Sequence, residues 1–212
     1  MIMEPMHKDG RSLRAKNIYD DKHKKLVNTA IELFNDPLIP NETINLSLIA
    51  KHAGTSVATA YNHFPDSLMD VYGSIFSIGF QDIVEKVEQH NQTEQNPLKR
   101  INYYLDVQVD VCIRLGTAIK EGFFQFREIL NSNKWIQGEP YSFLLKMCEE
   151  YEKVNSTIDP KLLADDIFTL WNGNIYLWMR FNPDFEIWSK FNDEWLKIEM
   201  KKILNKAILL QK

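Results

Sequence analysis

Turn-forming residues are scarce in this 212-residue sequence, with eight glycines and eight prolines. An all-β fold depends on those residues at its many turns, so their scarcity favours helices. Cysteine is nearly missing. Cys112 and Cys148 stand far apart, form no CxxC pair and fall in apolar-periodic stretches, so two buried thiols are expected instead of a disulfide framework. A reducing cytoplasm suits that usage. Long apolar runs are missing too. No stretch approaches the roughly 18 uncharged apolar residues of a membrane span, and no basic start precedes an apolar run of about 7 to 15. Neither secretion nor a membrane partner is expected.

Positive charge is in deficit, with 25 Lys and Arg against 29 Asp and Glu and a net charge of -4. Phosphate binding wants a positive face, so the total weighs against a general polyanion binder. Signatures of catalysis are absent as well. The five histidines, at 7, 23, 52, 63 and 90, form no HExxH pattern, and GxSxG, GxxxxGK[ST] and GxGxxG do not occur. Asp165-Asp166 and Glu149-Glu150 are sequence neighbours, splayed by about 100° on a helix, and read as solvated faces. No catalytic residue, metal set or cofactor is expected, and the chain does not read as an enzyme.

What the sequence does hold is material for a sizeable core, 44% hydrophobic residues, distributed with helical periodicity. Apolar positions spaced at about 3.6 residues predict helices over residues 20–34, 46–53, 57–64, 66–89, 97–115, 117–131, 139–155, 160–180 and 185–210. Asn45 and Ser56 stand where N-caps belong, Gly54 lies between the second and third helices, and Asn96-Pro97 opens the fifth. The expectation is an all-α fold of about nine helices. Charge is uneven along it: residues 1–64 carry 8 Lys and Arg against 7 Asp and Glu, the remainder 17 against 22. Lys8, Arg11, Arg14, Lys16, Lys22, Lys24 and Lys25 gather upstream, so residues 1–16 are expected to form a flexible basic arm.

The most informative stretch is Ile49 to Phe64, IAKHAGTSVATAYNHF. Two helices crossing steeply need small residues at the crossing and a turn that tolerates a left-handed backbone. Ala50, Ala53 and Ala60 meet the first need and Gly54 the second. Val57, Ala58, Tyr61 and Asn62 are left on the outer side of the second helix. With Leu33 and Phe34 ending the preceding helix, and Thr59, His63 and Phe64 in place, the segment resembles the TetR family of transcriptional regulators. That family commonly carries an IAxxAGVSxGTLYxHFxSK-like stretch.

The resemblance covers residues 20–76. It implies an N-terminal DNA-binding domain, residues 17–76, with its helix-turn-helix at 45–64. A C-terminal ligand-binding and dimerisation domain, 77–212, would follow. It also implies a homodimer on a palindromic operator in double-stranded DNA, usually a repressor released by a small-molecule effector. Carried over by position, Tyr61 and His63 would meet phosphates, Asn45 and Ser47 would offer a phosphate the start of their helix, and Ser56 would cap the next. Thr59 is a candidate for a phosphate or a thymine methyl, while Val57, Ala58 and Asn62 are candidates for base edges. Serine stands at 67, where the family commonly has lysine, and Lys22, Lys24 or the basic arm is the candidate replacement. An all-α small-molecule binder without DNA binding is the alternative, motivated by that serine and by the net charge.

Aromatic residues concentrate after residue 100. Tyr104, Arg114, Phe123, Phe126, Trp171, Asn174 and Trp178 are candidates for a site taking an apolar or aromatic effector. Trp171, Ile175 and Trp178, and Trp188, Phe191, Trp195 and Ile198, form two stripes of helical spacing that could meet a twin. The same spacing also serves a monomer's core.

Overall fold

A computed structural model describes the backbone at residues 10–124 and 139–211, and the side chains at 13–124 and 140–211. All regular structure among the described residues is helical. Nine α-helices and one short 3-10 turn follow one another, and the chain divides into two compact units, Met1–Ile75 and Phe76–Lys212.

In the first unit, α1 runs over Gly10–Asn35, ten residues longer at its start than the periodicity predicts. Residues 10–16, expected in a flexible arm, are therefore helical. The reason for the miss is physical: residues 13–20 are all exposed, so no burial imprints a pattern on them. Leu13, Arg14, Ala15 and Lys16 are nonetheless good helix formers, and no proline intervenes before Pro37. The later turns of α1 supply the core with Leu26, Val27, Ala30, Leu33 and Phe34, each at most 4% exposed.

Pro37 and Pro40 then end the helix. Asp36 accepts the Leu38 N–H at 2.9 Å, and a 3-10 turn over Asn41–Thr43 leads into α2, Leu46–His52. The third helix, α3, spans Val57–His63. Ile49, Ala50, Ala53 and Ala60 are at most 2% exposed, which lets the two short helices cross closely. The fourth, α4, spans Leu68–Asn91, and its first turns close this unit with Val71, Tyr72 and Ile75. Phe34 and Tyr72 meet with ring centroids 5.5 Å apart.

In the second unit, Asn96 accepts the N–H groups of Leu98 and Lys99 at 3.0 and 3.3 Å and opens α5, Pro97–Phe124. The run is interrupted at Gly116, whose φ of 55° and ψ of -125° are not helical, which is where a helix end is predicted. The remaining helices are α6, Glu139–Glu152, α7, Pro160–Met179, α8, Glu186–Ser189, and α9, Asp193–Leu210. A single helix over 185–210 is thus corrected to two. Asn192 accepts the Trp195 N–H at 2.9 Å and starts α9 afresh. Helix α7 packs on α6 and α9, and α5 packs on the same two. Close approach of α4 to α5 is set at Gly79, where an added Cβ would stand 3.0 Å from the Leu115 Cδ1.

Candidate nucleic-acid interface

Local hydrogen bonds build the helix pair. The Asn45 side chain accepts the Leu48 N–H at 3.0 Å while its amide donates to the Thr43 carbonyl at 3.2 Å. At the far end of α2, Thr55 N–H reaches the Ala50 carbonyl at 2.9 Å and Gly54 N–H the Lys51 carbonyl at 3.2 Å. This is a Schellman closure, and it requires the left-handed backbone that Gly54 adopts at φ 66°. Ser56 then accepts the Thr59 N–H at 3.1 Å, with the two hydroxyls 2.8 Å apart, and α3 begins.

With Ala60 turned fully inward, α3 presents Val57, Ala58, Tyr61 and Asn62 to solvent. Thr59 is half-buried, its hydroxyl engaged with Ser56. Asn45 and Ser47 are exposed at the start of α2, the first with its side chain spent on capping. The segment 43–65 contains none of the chain's 29 Asp and Glu. The segment itself therefore adds no negative charge to repel phosphates.

The structure does not place His63 beside the exposed set. It is 8% exposed, and its ring lies against Tyr19 of α1 at 4.1 Å and near His23 at 5.6 Å. The phosphate contact that the resemblance implies thus falls on a ring that is mostly buried in packing. Burial holds its pKa below the ordinary histidine value, with the His23 and Lys22 charges acting in the same sense. Burial also lowers the His23 pKa, against the pull of Asp20 and Asp70.

Lys22 is exposed on α1 and close enough for its charge to act on His63. Lys25, one of the basic residues gathered at the start of the sequence, brings its Nζ to 4.0 Å from where a Gly54 Cβ would stand. Its spacing of three from Lys22 on one helix was the available signal. Lys51 and His52 are exposed at the end of α2. At position 67, serine holds a left-handed φ of 60° just before α4.

Among the described residues, the ligand candidates of the second unit take different places. Tyr104 is 2% exposed and donates to the Pro140 carbonyl at 3.2 Å, a core position. Arg114 pairs with Asp82 at 2.5 Å, and Phe123 meets Phe76 edge-on at 5.0 Å. Trp171 and Asn174 are half-buried, and Phe126 lies outside the described residues. A groove of about 470 Å³ runs along α4 between Phe80 and Gln92, lined also by Val84, Glu85 and Glu88, and none of the candidates borders it.

The two stripes are buried in part. Ile175 and Trp178 are each 1% exposed inside the unit, and Trp178 Nε1 donates to Asp193 at 2.7 Å, so neither is open to a twin. Phe191 is likewise buried, between the half-buried Trp188 and Trp195, and only Ile198 is exposed. Inward packing claims Ile175, Trp178 and Phe191, while Trp171, Trp188 and Trp195 are half-buried. The apolar residues that remain open on α7 and α9 include Leu162, Phe168, Tyr176 and Ile198.

Among the described residues no helix is long and apolar enough to cross a membrane, and no group of three or more His, Cys, Asp or Glu is placed to hold a metal ion. A comparison with protein-family models finds none that matches the chain, and a comparison with curated proteins finds no match either.

Proposed function

We propose that this chain is a sequence-specific DNA-binding transcriptional regulator of the TetR type, acting in the cytoplasm as a homodimer. The observation that carries the reading is the outer face of α3. Val57, Ala58, Tyr61 and Asn62 stand exposed on a capped helix, set on α2 through a glycine turn, in a segment free of carboxylates. A helix of that size enters a major groove about 12 Å wide. Asn62 would read adenine, Val57 and Ala58 thymine methyls, and Tyr61 with Ser47 would hold phosphates. Lys22, Lys25 and Lys51 would supply the cationic contacts that Ser67 does not.

The second unit would carry the twin's interface and the effector site. Leu162, Phe168 and Tyr176 of α7 and Ile198 of α9 are among the apolar side chains open to a second copy. Helix α4 belongs to both units, its first turns to one and the rest to the other, so an effector that re-packs the second unit would act on the reader through it.

The test is selection of bound fragments from genomic DNA, followed by affinity measurement on the enriched sequence. Enrichment of a palindrome whose half-sites lie about 34 to 36 Å apart is the expected result. Failure to enrich any fragment at low salt would refute the proposal.

A further inference from the structure

Three helices of the first unit meet at two imidazoles. His23 stands on α1 and His63 at the end of α3, with ring centroids 5.6 Å apart. Tyr19 covers His63 at 4.1 Å, and Phe64 lies 4.9 Å from His23. From α4, the Ser74 hydroxyl lies 3.1 Å from His23 Nε2 and 2.9 Å from the Asp70 carbonyl. That carbonyl can only accept, so it takes the hydroxyl proton, and the serine oxygen must in turn accept from His23 Nε2–H. The proton of His23 is thereby fixed on Nε2, leaving Nδ1 as a bare acceptor.

Both Nδ1 atoms, of His23 and of His63, are buried without a hydrogen-bond partner. A proton added at His23 Nδ1 would make a buried N–H with no acceptor, beside a second ring facing the same difficulty. The charged and titratable groups around the pair are Tyr19, Asp20 and Lys22 from α1 and Asp70 from α4. Two carboxylates favour the imidazolium of His23, while Lys22 disfavours that of His63. Charging both rings in this seat is disfavoured by burial and by their proximity.

We propose that His23 and His63 form an acid-sensitive latch that seats α3 against α1 and α4 while both rings are neutral and lets α3 go when they are protonated. The seat is a property of the first unit's fold. Its effect on an operator rests on the DNA-binding reading above.

The direction follows from linkage. Both folded pKa values lie below the unfolded value of about 6.5, so above that pH neither state takes up the protons and the seat is intact. As pH falls through that value toward the folded ones, the unfolded chain binds protons that the folded chain refuses. Stability drains over that interval and not beyond it.

The test uses the full chain. Histidine Cε1 resonances followed by NMR titration in the wild type should show two imidazoles titrating below about 6.5. Between about pH 7.5 and about pH 5.5 the melting midpoint of the first unit should fall by about 4 °C or more. The double variant His23→Gln, His63→Phe, which keeps a donor toward Ser74 and a ring beside Tyr19, should lose less than half as much. Ordinary or raised pKa values for both rings overturn the latch, as does an undiminished acid loss in the double variant. Should the variant fail to fold, the wild-type titration still decides. A wild type that binds no DNA at about pH 7.5 fails the DNA reading alone, since the titration and the melts do not involve DNA.

Discussion

Gly54→Ala is the perturbation whose effect the structure allows to be worked most closely. Nothing crowds the position: an added Cβ would find the Lys25 Nζ at 4.0 Å, the far end of a flexible side chain in ordinary contact. The penalty is therefore confined to the backbone, held at φ 66° by the closure of α2 on the Ala50 and Lys51 carbonyls. A left-handed L-residue is disfavoured by roughly 1–2 kcal/mol. Against this, alanine restricts the unfolded chain and recovers about 0.4–1 kcal/mol. A net loss of about 1 kcal/mol is expected, or a midpoint lowered by about 4–8 °C in a domain of this size.

The control is Gly173→Ala, in the middle of α7, where nothing lies within 4 Å of the added Cβ and φ is ordinary. There alanine should gain about 0.5–1 kcal/mol. All five tryptophans lie in the second unit, so their fluorescence follows the control, while NMR signals of Tyr19 and His63 follow the first unit. Gly54→Asn should fall between glycine and alanine, because asparagine tolerates the left-handed region better. A Gly54→Ala variant as stable as the parent would refute the backbone argument. A loss at Gly173 would show that something outside the described chain approaches that face.

Removing the cap of α3 with Ser56→Ala should destabilise the first unit by about 1 kcal/mol in a denaturant titration. On a selected operator, Asn62→Ala should weaken binding by roughly 1–3 kcal/mol and relax the preference at one base pair. Lys22→Ala should instead weaken binding to every sequence alike and lower the salt slope by about one, as read by affinity at several salt concentrations. Phe168→Glu places a charge on the exposed face of α7, and sedimentation should show the proposed homodimer dissociating while far-UV circular dichroism stays unchanged.

The elements legible in the sequence are those whose causes are local. Asn45, Gly54 and Ser56 each act within five residues of themselves, and a glycine between two short apolar-periodic runs says where the backbone must turn. Burial-driven periodicity likewise revealed α4 to within two residues at each end. The early turns of α1 were not legible, because a helix that buries nothing writes no pattern. Nor was the fate of the tryptophans. Whether Trp178 faces a twin or a core is decided by Asp193, at the start of a helix whose separate existence depends on Asn192. The packing of His63 was not legible for the same reason: Tyr19 and His23, far back in the sequence, fill the space around it.

That inward histidine changes how acid should act on a DNA complex, because protonation has two effects of opposite sign. An imidazolium at the end of α3 adds positive charge near the side chains proposed to face the groove, which by itself strengthens phosphate binding and raises the salt slope by up to about one. The same proton breaks the seat that keeps Val57, Tyr61 and Asn62 in register. With His63 only 8% exposed, its charge is better placed to repel its buried neighbours than to reach a phosphate, so the second effect prevails. Operator affinity should therefore fall on mild acidification at every salt concentration, whereas Lys22→Ala lowers affinity most at low salt. An affinity that rises on acidification, with a steeper salt slope, would mean that His63 turns outward on the operator and grips phosphate as the resemblance implies.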